Sequence, residues 1–400
     1  MDSLIPTLTT ILLVVASIPG VCNYLILLER KLSAWMQDRV GPNRVGPLGL
    51  LQPLADGVKL LLKEEVIPDH VDRLLFLMAP GISVFTALLA FAVVPFGPVD
   101  DPAVPWFLRF IIAPGIDIGL VFIFAVGSLA VYGIVLGGWA SNNKYSALGA
   151  LRASAQVVSY EIPLGMSVLG IALLSGSLNL ENIMHQQISG GILSWNIWFQ
   201  PLAALMFFTA SLAEANRLPF DLAECEQELV GGWHTEYSAL KWALFFLGEY
   251  THMITISFLT SILFFGGWHF PGIAEADSVY AGAWIVKLGI LGVKAFLFIW
   301  VIIMLRWTIP RFRFDQLMEL AWRVMIPLSL ANLLMVMFVR HFNASVWWLL
   351  PGSLLLFAAW GAISASLRDA EQRSRPGYVR RKPVQTDPHP SHGHGHASAH

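Results

Sequence analysis

The stretch "IPTLTTILLVVASIPGVCNYLILL", residues 5–28, contains no charged side chain. A helix of that length rises about 36 Å, enough to cross a hydrocarbon core of roughly 30 Å. It is too long for the apolar region of a signal peptide, and no Lys or Arg precedes it. The sequence therefore predicts a retained membrane span. The 400-residue chain is 56% hydrophobic and only 13% charged, with 15 Trp and 25 Phe, and its mean hydropathy is +0.63. A soluble domain carries about a quarter charged residues, so the composition indicates a polytopic membrane protein. The net charge of −2 carries no information about partners. The two cysteines, Cys22 and Cys225, support no disulfide frame and are too few to hold an iron–sulfur cluster or a structural zinc.

The sequence predicts an all-α polytopic membrane protein with about nine transmembrane helices. They fall near 5–28, 74–94, 116–138, 155–175, 196–213, 239–266, 283–305, 322–340 and 346–366. The runs are continuous and do not alternate, which excludes a β-barrel. Lys and Arg concentrate after spans 1, 3, 7 and 9, which puts the N-terminus outside and the tail in the cytoplasm. Residues 1–367 read as a membrane domain and 368–400 as a disordered, His-rich cytoplasmic tail. No GxGxxG, Walker loop or CxxC is present, so no motif lets the chain bind NADH or carry electrons itself.

Three features carry candidate chemistry. The first loop repeats "RVGP" at Arg39 and Arg44, a rigid basic turn. It leads into an expected amphipathic helix over 48–63, too short and too charged to span. Its apolar face either floors an opening for a lipid-like molecule or packs beneath the bundle. Second, Glu161 and Glu249 lie inside apolar runs, and Glu214 ends one. Acids at membrane depth cost about 2.5–3.5 kcal/mol on insertion scales and mark functional sites by default; the structural alternative is a pair with a cation such as Arg152 or Lys294. Third, "EANRLPFDLAECEQELVGGWHTEY", residues 214–237, gathers Glu214, Asp221, Glu224, Glu226, Glu228 and Glu236 around Arg217. Carboxylates this dense raise one another's pKa and suit proton uptake and release, whereas a charge run alone usually marks a solvated face.

In four places the sequence resembles a known family. These are "ERKLSAWMQDRVGPNRVGPLGLLQPLADGVKLLLKE", "GGWASNNKYSALGALRASAQVVSYE", "AEANRLPFDLAECEQELVGGWHTEYSALKWALFFLGEY" and "IPRFRFDQLMELAW". They are similar to the H subunit of bacterial proton-pumping NADH:quinone oxidoreductase, respiratory complex I, the family of mitochondrial subunit 1. The resemblance implies a quinone chamber at Glu29, Arg30, Ala55 and Asp56, with Arg39 in the basic turn beside it. It implies a proton or coupling path through Glu161, Glu214, Asp221, Glu224, Glu226, Glu228, Glu236 and Glu249, with Arg152, Arg217 and Lys294 as supporting charges. Quinone is the implied substrate, no metal is expected on this chain, and NADH, FMN and iron–sulfur clusters belong to partner subunits. The implied partners are the other membrane and peripheral-arm subunits and the lipid bilayer, with no nucleic acid. The implied location is the bacterial inner membrane. Ser128 stands where some members carry a further Glu, which implies an acid path one station shorter. Two other readings stay open: the anchor of a related membrane-bound hydrogenase or formate hydrogenlyase, and a stand-alone ion transporter.

Overall fold

The computed structural model describes residues 4–97, 104–105, 108–222, 229–274 and 282–374, with side chains to 363. Glu224, Cys225, Glu226, Glu228 and the His-rich tail lie outside the described residues. The chain divides into two units, Met1–Phe357 and Ala358–His400. In the first unit α1 runs Leu4–Met36, α2 Gln52–Leu62, α3 Arg73–Leu89, α4 Gly119–Ala140, α5 Lys144–Ser175 and α6 Leu180–Ile188. The short α7 (Asn196–Phe199) and α8 (Pro201–Glu214) follow, then α9 (Ala239–Phe264) and α10 (Ala283–Thr308). Next, α11 (Phe314–Glu319) continues through a π-helical turn, Leu320–Met325, into α12 (Ile326–His341). The last helix, α13, begins at Leu349 and runs on into the second unit to Ser374.

The protein is an all-α polytopic membrane protein. Among the described residues, 7 helices are long and apolar enough to cross a membrane. Two further segments of the expected nine differ in kind. α9 has the length but carries Lys241, Glu249 and His252. The run over 196–213 is not one helix: Gln200, at φ −131° and ψ 59°, separates α7 from α8. The Pro201 ring fits the first turn of α8, where no intrahelical N–H is required. At 14 residues, α8 spans about 21 Å, well short of the core.

α5, by contrast, is longer than its apolar run. The side chain of Asn143 accepts from Tyr145 N–H, so the helix starts before the charged segment, and Gly176 ends it at φ 68°. The interfacial helix is shorter than expected. Positive φ at Leu48 and Gly49 turns the chain there, and the helix starts only at Gln52. Leu51, Leu54, Val58, Leu61 and Leu62 are left uncovered by the rest of the chain, whereas Pro53, Asp56, Gly57 and Leu60 face inward on a cavity.

The helices α3, α4, α5, α8 and α9 form the packed centre. Without a hydrophobic driving force between helices in lipid, small residues and interhelical hydrogen bonds carry this packing. Gly149 of α5 shows how tight it is. A Cβ there would lie 2.7–2.8 Å from the backbone of Gly232 and Trp233. Beside that contact the Phe76 and Tyr237 rings stack at 4.0 Å, and the Tyr237 hydroxyl donates to Phe76 O at 3.2 Å. Gly149→Ala is expected to destabilise the fold by about 1–3 kcal/mol, as overpacked sites do. Gly165→Ala, on the same helix with open space around it, should not. Thermal unfolding in detergent compares the two; equal midpoints would contradict the packing described.

Candidate functional site

The most polar place in the apolar bundle is built around Glu29, near the end of α1. The residue is 7% exposed. Its carboxylate accepts hydrogen bonds from the Tyr250 hydroxyl of α9 and from Arg306 Nη1 at the end of α10. Arg217 Nη1, in the turn after α8, reaches it at 3.5 Å. The Arg217 guanidinium also lies 4.1 Å from the centroid of the Tyr250 ring. A buried carboxylate persists only when paired and hydrogen-bonded in this way.

A second ion pair joins α1 to α2. Arg30 Nη1 donates to Asp56 Oδ2 at 2.6 Å, Gln52 Nε2 donates to Asp56 Oδ1 at 3.2 Å, and Lys59 lies 3.6 Å away. Burial pushes the Asp56 carboxyl up, but Arg30, Gln52 and Lys59 outweigh it and hold the group below the usual carboxylate range. Between these pairs lies a cavity of about 940 Å³. Glu29, Arg30, Arg39 and Asp56 line it together with Trp242, Phe246 and Tyr250. Its size and its mix of aromatic walls with a few charged groups suit a large apolar ligand with a polar head. Ala55 is exposed and does not line this cavity, although its neighbour Asp56 does.

Smaller cavities lead inward. One of about 130 Å³ shares Glu29, Arg217, Phe246 and Arg306 with the large cavity and adds Asp221 and Glu249. Asp221 pairs with Arg311 at 3.5 Å. Burial pushes its carboxyl above the usual range, against the pull of Arg311, Arg217 and Arg306. The next cavity, about 30 Å³, is lined by Glu249, Glu214 and His252, and another of about 20 Å³ by Glu214 and His252. Glu214 is held in place by Gln156 of α5, whose amide donates to Ala213 O at 2.8 Å and Phe220 O at 2.9 Å. Glu161 lines none of these four cavities; the Ser128 hydroxyl donates to its carboxylate. Ser128 is thus a hydrogen-bond partner of Glu161.

The other expected residues stand apart. Glu236 accepts from the Asn143 amide at 2.7 Å, at the start of α5. Arg152 lies 5.6 Å from the Phe314 ring centroid. Lys294 donates to Phe265 O, Gly267 O and His269 O at 2.7–2.9 Å, so it closes a loop and pairs with neither Glu161 nor Glu249. Sequence reasoning assigned no site role to Tyr250, Arg306, His252, Trp242 or Phe246. The signal for two of them was helical spacing from Glu249: Phe246 and His252 lie three residues to either side.

The family model described as NADH dehydrogenase matches residues 8–337. The chain belongs to the NADH dehydrogenase family, among the H subunits. It is similar to the NADH-quinone oxidoreductase H subunit of Flavobacterium johnsoniae, 48% identical over 319 residues, covering 78% of this chain and 89% of the relative. It is also similar to the H subunit of Leptospira biflexa serovar Patoc, 48% identical over 338 residues, 81% of this chain and 90% of the relative. An H subunit of Koribacter versatilis is 46% identical over 341 residues, 83% of this chain and 96% of the relative.

The Arg30–Asp56 pair gives a pH prediction for this family's interfacial helix. A depressed carboxyl contributes its full stability above its unfolded pKa of about 3.9 and loses it only as pH falls through the lower folded value. The pair is therefore intact throughout the neutral range. With Arg30 47% exposed, solvent screens it, and Asp56→Asn should speed amide exchange in Gln52–Leu62 by only about two- to fivefold. The ratio of variant to wild-type rates should be equal at mildly acidic and mildly alkaline pH. A ratio that falls to one on the acidic side would contradict the assignment.

Proposed function

We propose that this chain is the membrane subunit that holds the quinone of a proton-pumping NADH-quinone oxidoreductase and passes the effect of quinone reduction to buried carboxylates. The observation that carries the reading is the shared wall. Glu29, Arg217, Phe246 and Arg306 line both the 940 Å³ cavity and the 130 Å³ cavity that reaches Glu249. In this reading the isoprenoid tail enters beside the uncovered apolar face of α2. The quinone ring then lies among Trp242, Phe246 and Tyr250. NADH, FMN and iron–sulfur clusters belong to partner subunits of the peripheral arm, docked on the cytoplasmic side of an inner membrane with the N-terminus of this chain outside.

Reduction of the ring takes two electrons from those partners and two protons from its surroundings, giving the quinol. The change in charge and protonation is felt first at Glu29 and Arg217, which line the cavity directly. It is felt next at Asp221 and Glu249 across the smaller cavity. Carboxylates at membrane depth respond strongly, since one pKa unit corresponds to only about 1.4 kcal/mol. Proton transfer from Glu249 to Glu214 then runs through the 30 Å³ cavity that both line. Glu161, tied to Ser128, and the acids Glu224, Glu226 and Glu228 complete the set by resemblance.

Glu→Gln keeps size and hydrogen bonding but removes the exchangeable charge. Glu214→Gln and Glu249→Gln should each lower quinone-linked turnover and proton translocation by roughly tenfold or more, the scale of losing a positioned proton-transfer group. NADH oxidation by a soluble artificial acceptor should persist, and native gels should show assembled complex. Wild-type pumping by both assembled variants in reconstituted vesicles would overturn the reading.

A further inference from the structure

The carboxylate path gives no role to His252, a titratable side chain beside its acids. His252 sits on α9 three residues beyond Glu249, on the same helical face. It lines the 30 Å³ cavity with Glu249 and Glu214, and the 20 Å³ cavity with Glu214 alone among the acids. Glu214 and His252 thus flank the same two cavities from α8 and α9.

The space between them is built for water. A cavity needs about 10–15 Å³ to admit one water molecule, so each of these has room for one or two. The walls supply the hydrogen-bonding groups such a water needs. The Ser211 hydroxyl, fully buried, lines the 20 Å³ cavity with no hydrogen-bond partner in the fold. An orphaned hydroxyl of this kind is costly and marks a bound polar group. α4 turns Gly127 to both cavities, and a Cβ there would lie 3.0 Å from Glu214 Oε1. The carboxylate therefore packs against the bare face of Gly127, where a side chain would crowd it. From the packed neighbours, α3 contributes Ser83 to the walls, and α5 contributes Val157 and Leu164. Glu161 of α5 acts on Glu214 through its charge but lines neither cavity. The helices α1 and α10, also packed on α9, line neither cavity.

We propose that His252 and Glu214 share one proton through this water and act together as a station of the path. In one state Glu214 is a carboxylic acid and His252 a neutral imidazole. In the other the O–H bond of Glu214 has broken, an N–H bond has formed on His252, and the pair is carboxylate and imidazolium. The proton stays within the pair and the net charge does not change, so the switch is cheap at membrane depth. Glu249 sets its direction. When Glu249 is deprotonated, its negative charge one helical turn away favours the imidazolium. When Glu249 is reprotonated, the proton returns to Glu214. The two nitrogens of an imidazole allow uptake at one and release at the other. This inference rests on the carboxylate path proposed above.

The test uses the assembled complex in vesicles, with His252→Asn and His252→Gln beside Glu249→Gln. Both histidine variants should lower proton translocation and quinone-linked turnover several-fold, change the shape of the pH–rate profile, and spare artificial-acceptor activity. Redox-difference infrared spectra of the wild type with ring-labelled histidine should show an imidazole-to-imidazolium change paired with loss of a carboxylic C=O band. That wild-type measurement decides the matter even if neither variant assembles; absence of the paired change overturns the proposal. An assembled histidine variant with wild-type pumping and pH profile also overturns it, while loss of pumping in Glu249→Gln leaves the path itself standing. Wild-type pumping by Glu249→Gln instead removes the path on which the pair depends.

Discussion

A carboxylate in an apolar bundle needs counter-charges, and at Glu29 the chain supplies them from several places at once. The acid comes from α1, one guanidinium from the turn after α8, a phenol from α9 and a second guanidinium from the end of α10. Removing one charged partner leaves a buried charge poorly matched, at a cost of about 3–5 kcal/mol. The cluster therefore does two jobs. It fixes four distant segments at one point, and it keeps a polar wall between a large cavity and a small one. An apolar wall would fix the helices equally well but would insulate the acids from events in the cavity.

Around that cluster the fold divides its labour. Helices with uncovered apolar faces meet lipid. The central helices are held by glycine contacts such as that of Gly149 with Gly232 and Trp233, and by buried amides such as Gln156, which accounts for the backbone where α8 ends. α8 is too short to cross the membrane, so its last residue, Glu214, stops within the bundle. The break at Gln200, fully buried, fits the rule that irregular backbone at membrane depth is tolerated where protein surrounds it.

Much of this was legible in the sequence. Hydropathy alone gives an all-helical membrane protein, because uncharged runs of this length have few other solutions. The acids at 161, 214 and 249 stand out, since charge is scarce and expensive in such a chain, whereas Glu29 was reached only through the family resemblance. What hydropathy misses is where an apolar run breaks: a run average does not register the φ/ψ of Gln200 or of Leu48. Nor does it show partners. Arg306 looked like one more cytoplasmic cation, yet it closes on Glu29. Lys294 looked like a counter-charge for an acid, yet it saturates three backbone carbonyls. Nor does hydropathy show which of two neighbours faces a cavity: a helix turns adjacent residues about 100° apart, and Asp56 lines the large cavity where Ala55 does not.

The central claim is that a quinone occupies the cavity bounded by Glu29, Arg30, Asp56 and the aromatic side of α9. The most direct measurement is photoaffinity labelling of the assembled complex with a quinone carrying a photoreactive ring substituent, followed by peptide mapping. The account predicts label in the segments containing Arg30–Arg39 and Trp242–Tyr250, abolished by excess unlabelled quinone. Competed label confined to other parts of this chain or to other subunits, with both segments unmodified, would contradict it.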